Sequence, residues 1–240
     1  MKIAVFSDIH GNQFALREFL RQSAHEVIDR FYFLGDVFGY YYGQNECFDL
    51  LRGLAHLVCI RGNHDEYFLR HEIGEANIAI LAKKYGNTYL HMNEIAKENR
   101  DFLHTWGQSW REHLGRLEIG FFHGTPDDPV NGRLYPDTEI TNAISYRQYD
   151  VVFLGHTHHK MKRRIGETLI INPGSLGQQR DGKGCSYILF DTENMDVEWR
   201  IVTYDIVPLL RQIDENDPAM PSLKEVLMRS SNKEQENEKL

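Results

Sequence analysis

Three short apolar runs, "KIAVFS", "RFYFLG" and "HLVCIRG", each stop at a polar or glycine turn within the first 65 residues. Between them lie "NQFALREFLRQSA", where Phe14, Phe19 and Leu20 can share one helical stripe, and "NECFDLLRGL". Compact apolar runs bounded by turn residues read as buried strands, and strands alternating with helical spacing read as parallel crossovers. The opening therefore predicts an α/β domain. In an open α/β sheet ligands sit beyond the carboxyl ends of the strands, so the residues that follow each run matter most.

The rhythm breaks after the third run. From about Glu66 to Arg116 the spacing is mixed and mostly helical, with "EANIAILAKKYG" and "EIAKENRDFLHTWG" as helices, which predicts an insertion or cap over 66–116. Strands resume at "LEIGFFHG", followed by the loop "TPDDPVNGRLYPD", a helix near "TEITNAISYRQY" and the strand "DVVFLG". "KMKRRIG", "TLIINPG", "CSYILFD" and "DVEWRIVTYD" read as antiparallel strands of a second sheet, with closing helices at "IVPLLRQIDE" and "SLKEVLMRS". With 240 residues and 41% hydrophobic content, one domain over 1–228 is expected, and the charged end 229–240 reads as a disordered tail or a frayed helix end.

A formal charge of −8 disfavours broad nucleic-acid binding, so an anionic ligand needs local positive charge. Cys47, Cys59 and Cys185 are odd in number and widely spaced, which fits packing residues over a disulfide or thiolate metal site. "MKIAVFSDIHGN" has four consecutive apolar residues, short of a signal-peptide core, and no later run approaches a membrane span. A soluble, cytoplasmic protein is expected; the sequence sets no oligomeric state.

Polar residues gather at the strand exits: Asp8 and His10, then Asp36, Asn63 and His64, His123, and finally His156 and His158 in "GHTHH". Each has an ordinary alternative as a helix cap, a turn residue or a solvated imidazole. Brought together, eight such side chains would crowd and repel without a cation between them. If the strand before "GHTHH" stays extended, His156 and His158 leave one face and His159 the other.

These blocks resemble a known family. "SDIHGN", "LGDVFGY", "RGNHDEY", "FFHGTP" and "LGHTHH" are similar, in order, to the D-x-H, G-D, G-N-H-D, H and G-H-x-H blocks of calcineurin-like metallophosphoesterases. The resemblance runs from Lys2 to about Asp205, and "INPGSLGQQRDG" looks like a later segment of small bacterial phosphodiesterase-type members. It implies two stacked mixed β-sheets flanked by helices, a four-layer αββα sandwich with a helical cap insertion. It also implies two divalent transition-metal ions (Mn, Fe, Zn, Co or Ni), the first held by Asp8, His10, Asp36 and His158, the second by Asp36, Asn63, His123 and His156. Asp36 would bridge ions only about 3.5–4 Å apart, and a hydroxide shared between them would attack phosphorus. His64 would then protonate the leaving oxygen, with Asp65 orienting its ring.

The substrate signal is weaker. Where protein phosphatases and dinucleoside tetraphosphatases of this superfamily carry G-D-x-x-D-R-G, the chain has Gly39 and Tyr40 at the D-R positions. Tyr40, Tyr41 and Tyr42 could stack on a base or leaving group, or pack the cap. Arg180 is a candidate phosphate contact, with a solvated loop residue as the alternative. The resemblance implies a metal-dependent phosphodiesterase acting on a small phosphate ester such as a nucleotide. A phosphomonoesterase or nucleotide pyrophosphohydrolase is the alternative, and a non-catalytic protein-binding scaffold, as in a retromer subunit of the superfamily, is a third reading.

Overall fold

The computed structural model describes residues 1–140 and 143–237. Its first sheet has the order β10-β9-β1-β2-β3, from strands Lys2–Phe6 (β1), Arg30–Phe33 (β2), Leu57–Cys59 (β3), Cys185–Asp191 (β9) and Val197–Val202 (β10). The second has the order β4-β5-β6-β8-β7, from Ser109–Leu114, Leu117–Phe122, Val151–Leu154, Lys160–Ile165 and Thr168–Pro173 taken as β4 to β8. Strands β1, β2 and β3 are parallel, as the opening crossovers predict, and β5, β6 and β8 form a parallel trio in the other sheet. Two five-stranded mixed sheets flanked by helices are the sandwich that the sequence resemblance implies.

Strand alternation builds the layers. Ile3 and Val5 point between the sheets, against Ile119, Phe121, Val151 and Phe153, while Ala4 and Phe6 point outward. That outer face is covered by α1 (Gln13–Ser23) and α2 (Gln44–Arg52) through Leu16, Phe19, Phe48 and Leu51. In α1 the buried stripe is Ala15, Leu16 and Phe19; Phe14 instead packs towards the closing helices α6 (Val207–Asn216) and α7 (Pro221–Asn237). Cys47 and Cys185 are buried in the same outer core, and all three cysteines are free. Among the described residues, no helix is long and apolar enough to cross a membrane.

Several expectations are corrected. The 66–116 stretch contains α4 (Ile78–Tyr85), a 3-10 helix (Asn87–Glu94) and α5 (Lys97–His104), but it ends in β4, an edge strand antiparallel to β5. Most of "SWREHL" is exposed, so β4 lacks the alternation that marks a half-buried strand. The preceding helix, α3 (Asn63–Glu72), starts three residues early because Gly62 caps it and the Asp65 carboxylate accepts the Gly62 N–H at 2.9 Å. Strands β9 and β10 join the first sheet, with β9 antiparallel to β1, and only the β7–β8 pair lies in the second. No helix forms in the described part of "TEITNAISYRQY"; the N–H groups of Tyr146, Arg147 and Tyr149 close four-residue turns on the carbonyls of Ala143, Ile144 and Tyr146, and Thr168 Oγ1 lies 3.0 and 2.8 Å from the carbonyls of Tyr146 and Tyr149. Thr141 and Asn142 of that stretch lie outside the described residues. Finally, α7 continues through Asn237 into the segment expected to be a disordered tail, and 238–240 lie outside the described residues.

Candidate active site

All five strand exits converge. Asp8, His10 and His158 offer ligand atoms within 4.8 Å of one another, as do Asp36, His123 and His156. A third group, His10, Asp36 and His64, joins them, so that Asp36 belongs to both halves. Asn63 completes the second half, its Oδ1 3.1 Å from His123 Nε2.

The backbone is bent to achieve this. Asp8, His10, Asp36, His156 and His158 all have positive φ, between 52° and 67°, in the left-handed region that side chains other than glycine disfavour. Each such residue costs about 1 kcal/mol or more, so five together rival the roughly 5–15 kcal/mol net stability of a domain. Only a tightly over-determined framework holds that arrangement. It also corrects the extended geometry expected for "GHTHH": His156 and His158 are aimed by left-handed turns at φ 66° and 58°, and they enter different halves of the site. His159 enters neither; its Nδ1 lies 2.6 Å from the Thr157 carbonyl and its ring meets Tyr135 edge-on.

Tautomers follow from the backbone. His10 Nδ1 lies 2.7 Å from the Phe38 carbonyl, His123 Nδ1 2.8 Å from Leu34 O, and His158 Nδ1 2.6 Å from Gln178 O. A carbonyl only accepts, so each Nδ1 carries a proton, and a ring that is neutral turns its Nε2 lone pair inward. Those lone pairs meet other acceptors. His10 Nε2 is 3.0 Å from His158 Nε2, His158 Nε2 is 3.1 Å from Asp8 Oδ1, and His123 Nε2 is 3.3 Å from Asp36 Oδ2. Buried acceptors facing acceptors are costly unless a cation sits among them, and a carbonyl behind a ligating imidazole is how metal sites fix ring orientation. The donor set fits divalent metal.

The charges agree. Burial alone would raise the Asp8 and Asp36 carboxyls, but the histidines facing them outweigh it and hold both below the ordinary carboxylate range. Burial lowers His156 to about 3 and His158 to about 4, keeping both rings neutral. His123 moves the other way: burial opposes its charge, yet Asp36 beside it brings it up to about 9. The ion-free site thus draws one proton into the place of a cation.

Other expected residues divide. Tyr40 and Arg180 meet at the rim, with Arg180 Nη2 donating to Tyr40 Oη at 2.8 Å and to Gln178 Oε1 at 2.7 Å, and the Tyr40 ring stands 4.7 Å from His10. Tyr41 and Tyr42, by contrast, pack with α6 and α7, Tyr42 donating to Asp217. Asp65 does not serve the His64 ring: both its oxygens accept backbone N–H groups, from Asp36, Val37 and Gly62 at 2.8–2.9 Å. It ties the loop that carries Asp36 to the one that carries Asn63; burial and the nearby Asp36 charge push its carboxyl up to about 7. The His64 ring instead hydrogen-bonds through Nδ1 to the Tyr89 hydroxyl. Arg133, also missed by sequence reasoning, donates from Nε to His156 Nε2 at 2.8 Å. Neither Tyr89 nor Arg133 lies in a motif; Tyr89 reaches the site from the 3-10 helix of the insertion and Arg133 from an irregular loop.

The family model for the calcineurin-like phosphoesterase superfamily domain matches residues 1–195. An uncharacterized protein of Methanocaldococcus jannaschii is 32% identical over 232 residues, which cover 89% of this chain and 92% of that protein. The crystal structure of a hypothetical protein from Pyrococcus horikoshii shares the fold at a TM-score of 0.76 and 21% identity, over 89% of this chain and 92% of its own. That of a metallophosphoesterase from Sphaerobacter thermophilus aligns at 0.71 and 26% identity, over 90% and 94%.

Proposed function

Because the chain belongs to the calcineurin-like phosphoesterase superfamily, we propose that it is a divalent-metal-dependent phosphodiesterase acting on a small phosphate ester such as a nucleotide. The observation that carries this reading is the convergence of the Nε2 atoms of His10, His123 and His158 on the Asp8 and Asp36 carboxylates, each ring turned by a backbone carbonyl at its Nδ1. Asp8, His10, Asp36 and His158 would hold one ion, and Asp36, Asn63, His123 and His156 the other. Bound there, two divalent ions supply a water that ionises near neutral pH and positive charge for the nonbridging phosphate oxygens. His64, which lies beside His10 and Asp36, would give a proton to the leaving oxygen. Arg133 and Arg180 flank the site and would position the phosphate.

The rim supports a diester. Gly39 and Tyr40 replace the D-R pair that resembles the phosphate arginine of protein phosphatases, and Arg180 is shared with Tyr40 and Gln178. That modest positive charge suits the single charge of a diester better than the double charge of a monoester. A panel of phosphodiesters, phosphomonoesters and pyrophosphates with added Mn²⁺ tests the choice. Diester turnover abolished by chelator is the expected result; a protein that holds two ions and hydrolyses none of the panel would be a scaffold.

Two further results are expected. His156→Ala should weaken chiefly the second ion and His158→Ala the first, whereas His159→Ala should retain both, read as metal per protein. Loss of an ion in His159→Ala with retention in the other two would reverse the assignment. Metal affinity should also depend on pH. His123 is protonated below about 9 in the ion-free site and must lose that proton to ligate, so affinity should rise with pH through neutrality and binding should release about one proton. Calorimetry in two buffers of different ionisation enthalpy measures it, and binding without proton release would contradict the ligand role. The metal-loaded protein should also melt higher than the chelated one.

A further inference from the structure

His10, His123 and His158 are oriented by backbone carbonyls, but His64 is held differently. Its Nδ1 hydrogen-bonds to Tyr89, a buried residue of the 3-10 helix Asn87–Glu94 in the insertion. We propose that Tyr89 is the positioning residue for His64: its hydroxyl oxygen accepts the Nδ1–H, fixing the tautomer and turning Nε2 towards the leaving oxygen. This rests on the reading of the site as a phosphoesterase.

Two features leave this task to Tyr89. The carboxylate next in sequence, Asp65, is already engaged by the backbone N–H groups of Asp36, Val37 and Gly62. Position 39, where the resembling phosphatases carry an acid, is a glycine at φ 92°, and a Cβ there would stand 2.3 Å from His64 Nδ1. The ring occupies the space that a side chain at 39 would need. Tyr85, at 4.6 Å, and Tyr40, at 5.2 Å, pack round the same imidazole. Burial raises the Tyr89 phenol, so it remains a neutral hydroxyl. A neutral partner orients the ring without adding another negative charge beside Asp8, Asp36 and Asp65.

The step balances. As the P–O bond breaks, the leaving oxygen keeps the bonding electron pair and takes the proton from Nε2. The imidazolium becomes a neutral imidazole, which retains Nδ1–H on the Tyr89 oxygen. The insertion thus completes the acid and is more than a cover.

The test compares wild type, Tyr89→Phe, His64→Ala and the double variant, each loaded with Mn²⁺, on diesters with a p-nitrophenol or an alkyl alcohol leaving group. Tyr89→Phe should slow kcat for the alkyl ester about 10-fold and for the p-nitrophenyl ester less than about twofold, with KM unchanged, because only the poor leaving group needs the proton. The double variant should match His64→Ala, since both act through one group. Equal losses on both esters, or additive losses in the double variant, would overturn the proposal. A readout independent of turnover is the ¹H–¹⁵N long-range spectrum of the zinc-loaded protein. It should show that wild-type His64 keeps a proton on Nδ1 whether or not Nε2 is protonated, with a tautomer mixture in Tyr89→Phe; a neutral wild-type ring whose single proton sits on Nε2 would overturn the assignment. Failure of the phosphoesterase reading itself would be visible separately, as absence of hydrolysis by the wild type.

Discussion

Asp36→Asn should remove both metal occupancy and activity, and by more than any other single substitution at the site. Its Oδ2 lies 3.3 Å from His123 Nε2 and 3.7 Å from His10 Nε2, between the two ligand halves, while its Oδ1 accepts the His64 N–H at 2.8 Å. Loss of an outer-shell partner typically costs about 10–100-fold in metal affinity or activity, so loss of a carboxylate shared by both ions should exceed that, at about 10³-fold or more. The amide keeps the shape and could still accept the His64 N–H, so the fold should persist. Metal per protein and kcat should fall together. Two tightly held ions and full activity in Asp36→Asn would refute the bridge.

His64→Ala should separate chemistry from metal binding. Removing a general acid typically costs about 10²–10⁴-fold, and the cost should shrink for esters whose leaving group departs without a proton. Both ions should remain, because Asn63 and Asp36, not His64, would supply the ligands there, and the helix α3 that carries His64 is capped independently by Asp65. A rate loss of the same size across a leaving-group series, or loss of an ion, would count against the role.

What could be read from sequence, and what could not, has a physical pattern. Strands β1, β2 and β3 are short apolar runs whose helical connections force parallel order, and their register is local information. The candidate ligands were legible for the same reason: Asp8, Asp36, Asn63, His123 and His156 each follow a strand, and a parallel sheet brings such ends to one edge. The sheet membership of β9 and β10 was not legible, because antiparallel strands alternate alike whichever sheet they join. The edge strand β4 exposes most of its side chains and so carries no strand signature. Asp65 was misassigned because adjacency to His64 in sequence places it on the next helical position, turned towards the Asp36 loop. Tyr89 and Arg133 lie 25 and 23 residues from the histidines they touch, one on a short 3-10 helix and the other in a loop, outside every motif. The aim of His156 and His158 depends on left-handed φ values that the residue types tolerate but do not announce.

The central claim is that one carboxylate joins two metal sites. Anomalous diffraction from crystals soaked in Mn²⁺ tests it most directly. The account predicts two manganese peaks about 3.5–4 Å apart, one among Asp8, His10 and His158, the other among Asn63, His123 and His156, with Asp36 touching both. A single peak, or two peaks without Asp36 between them, would contradict it.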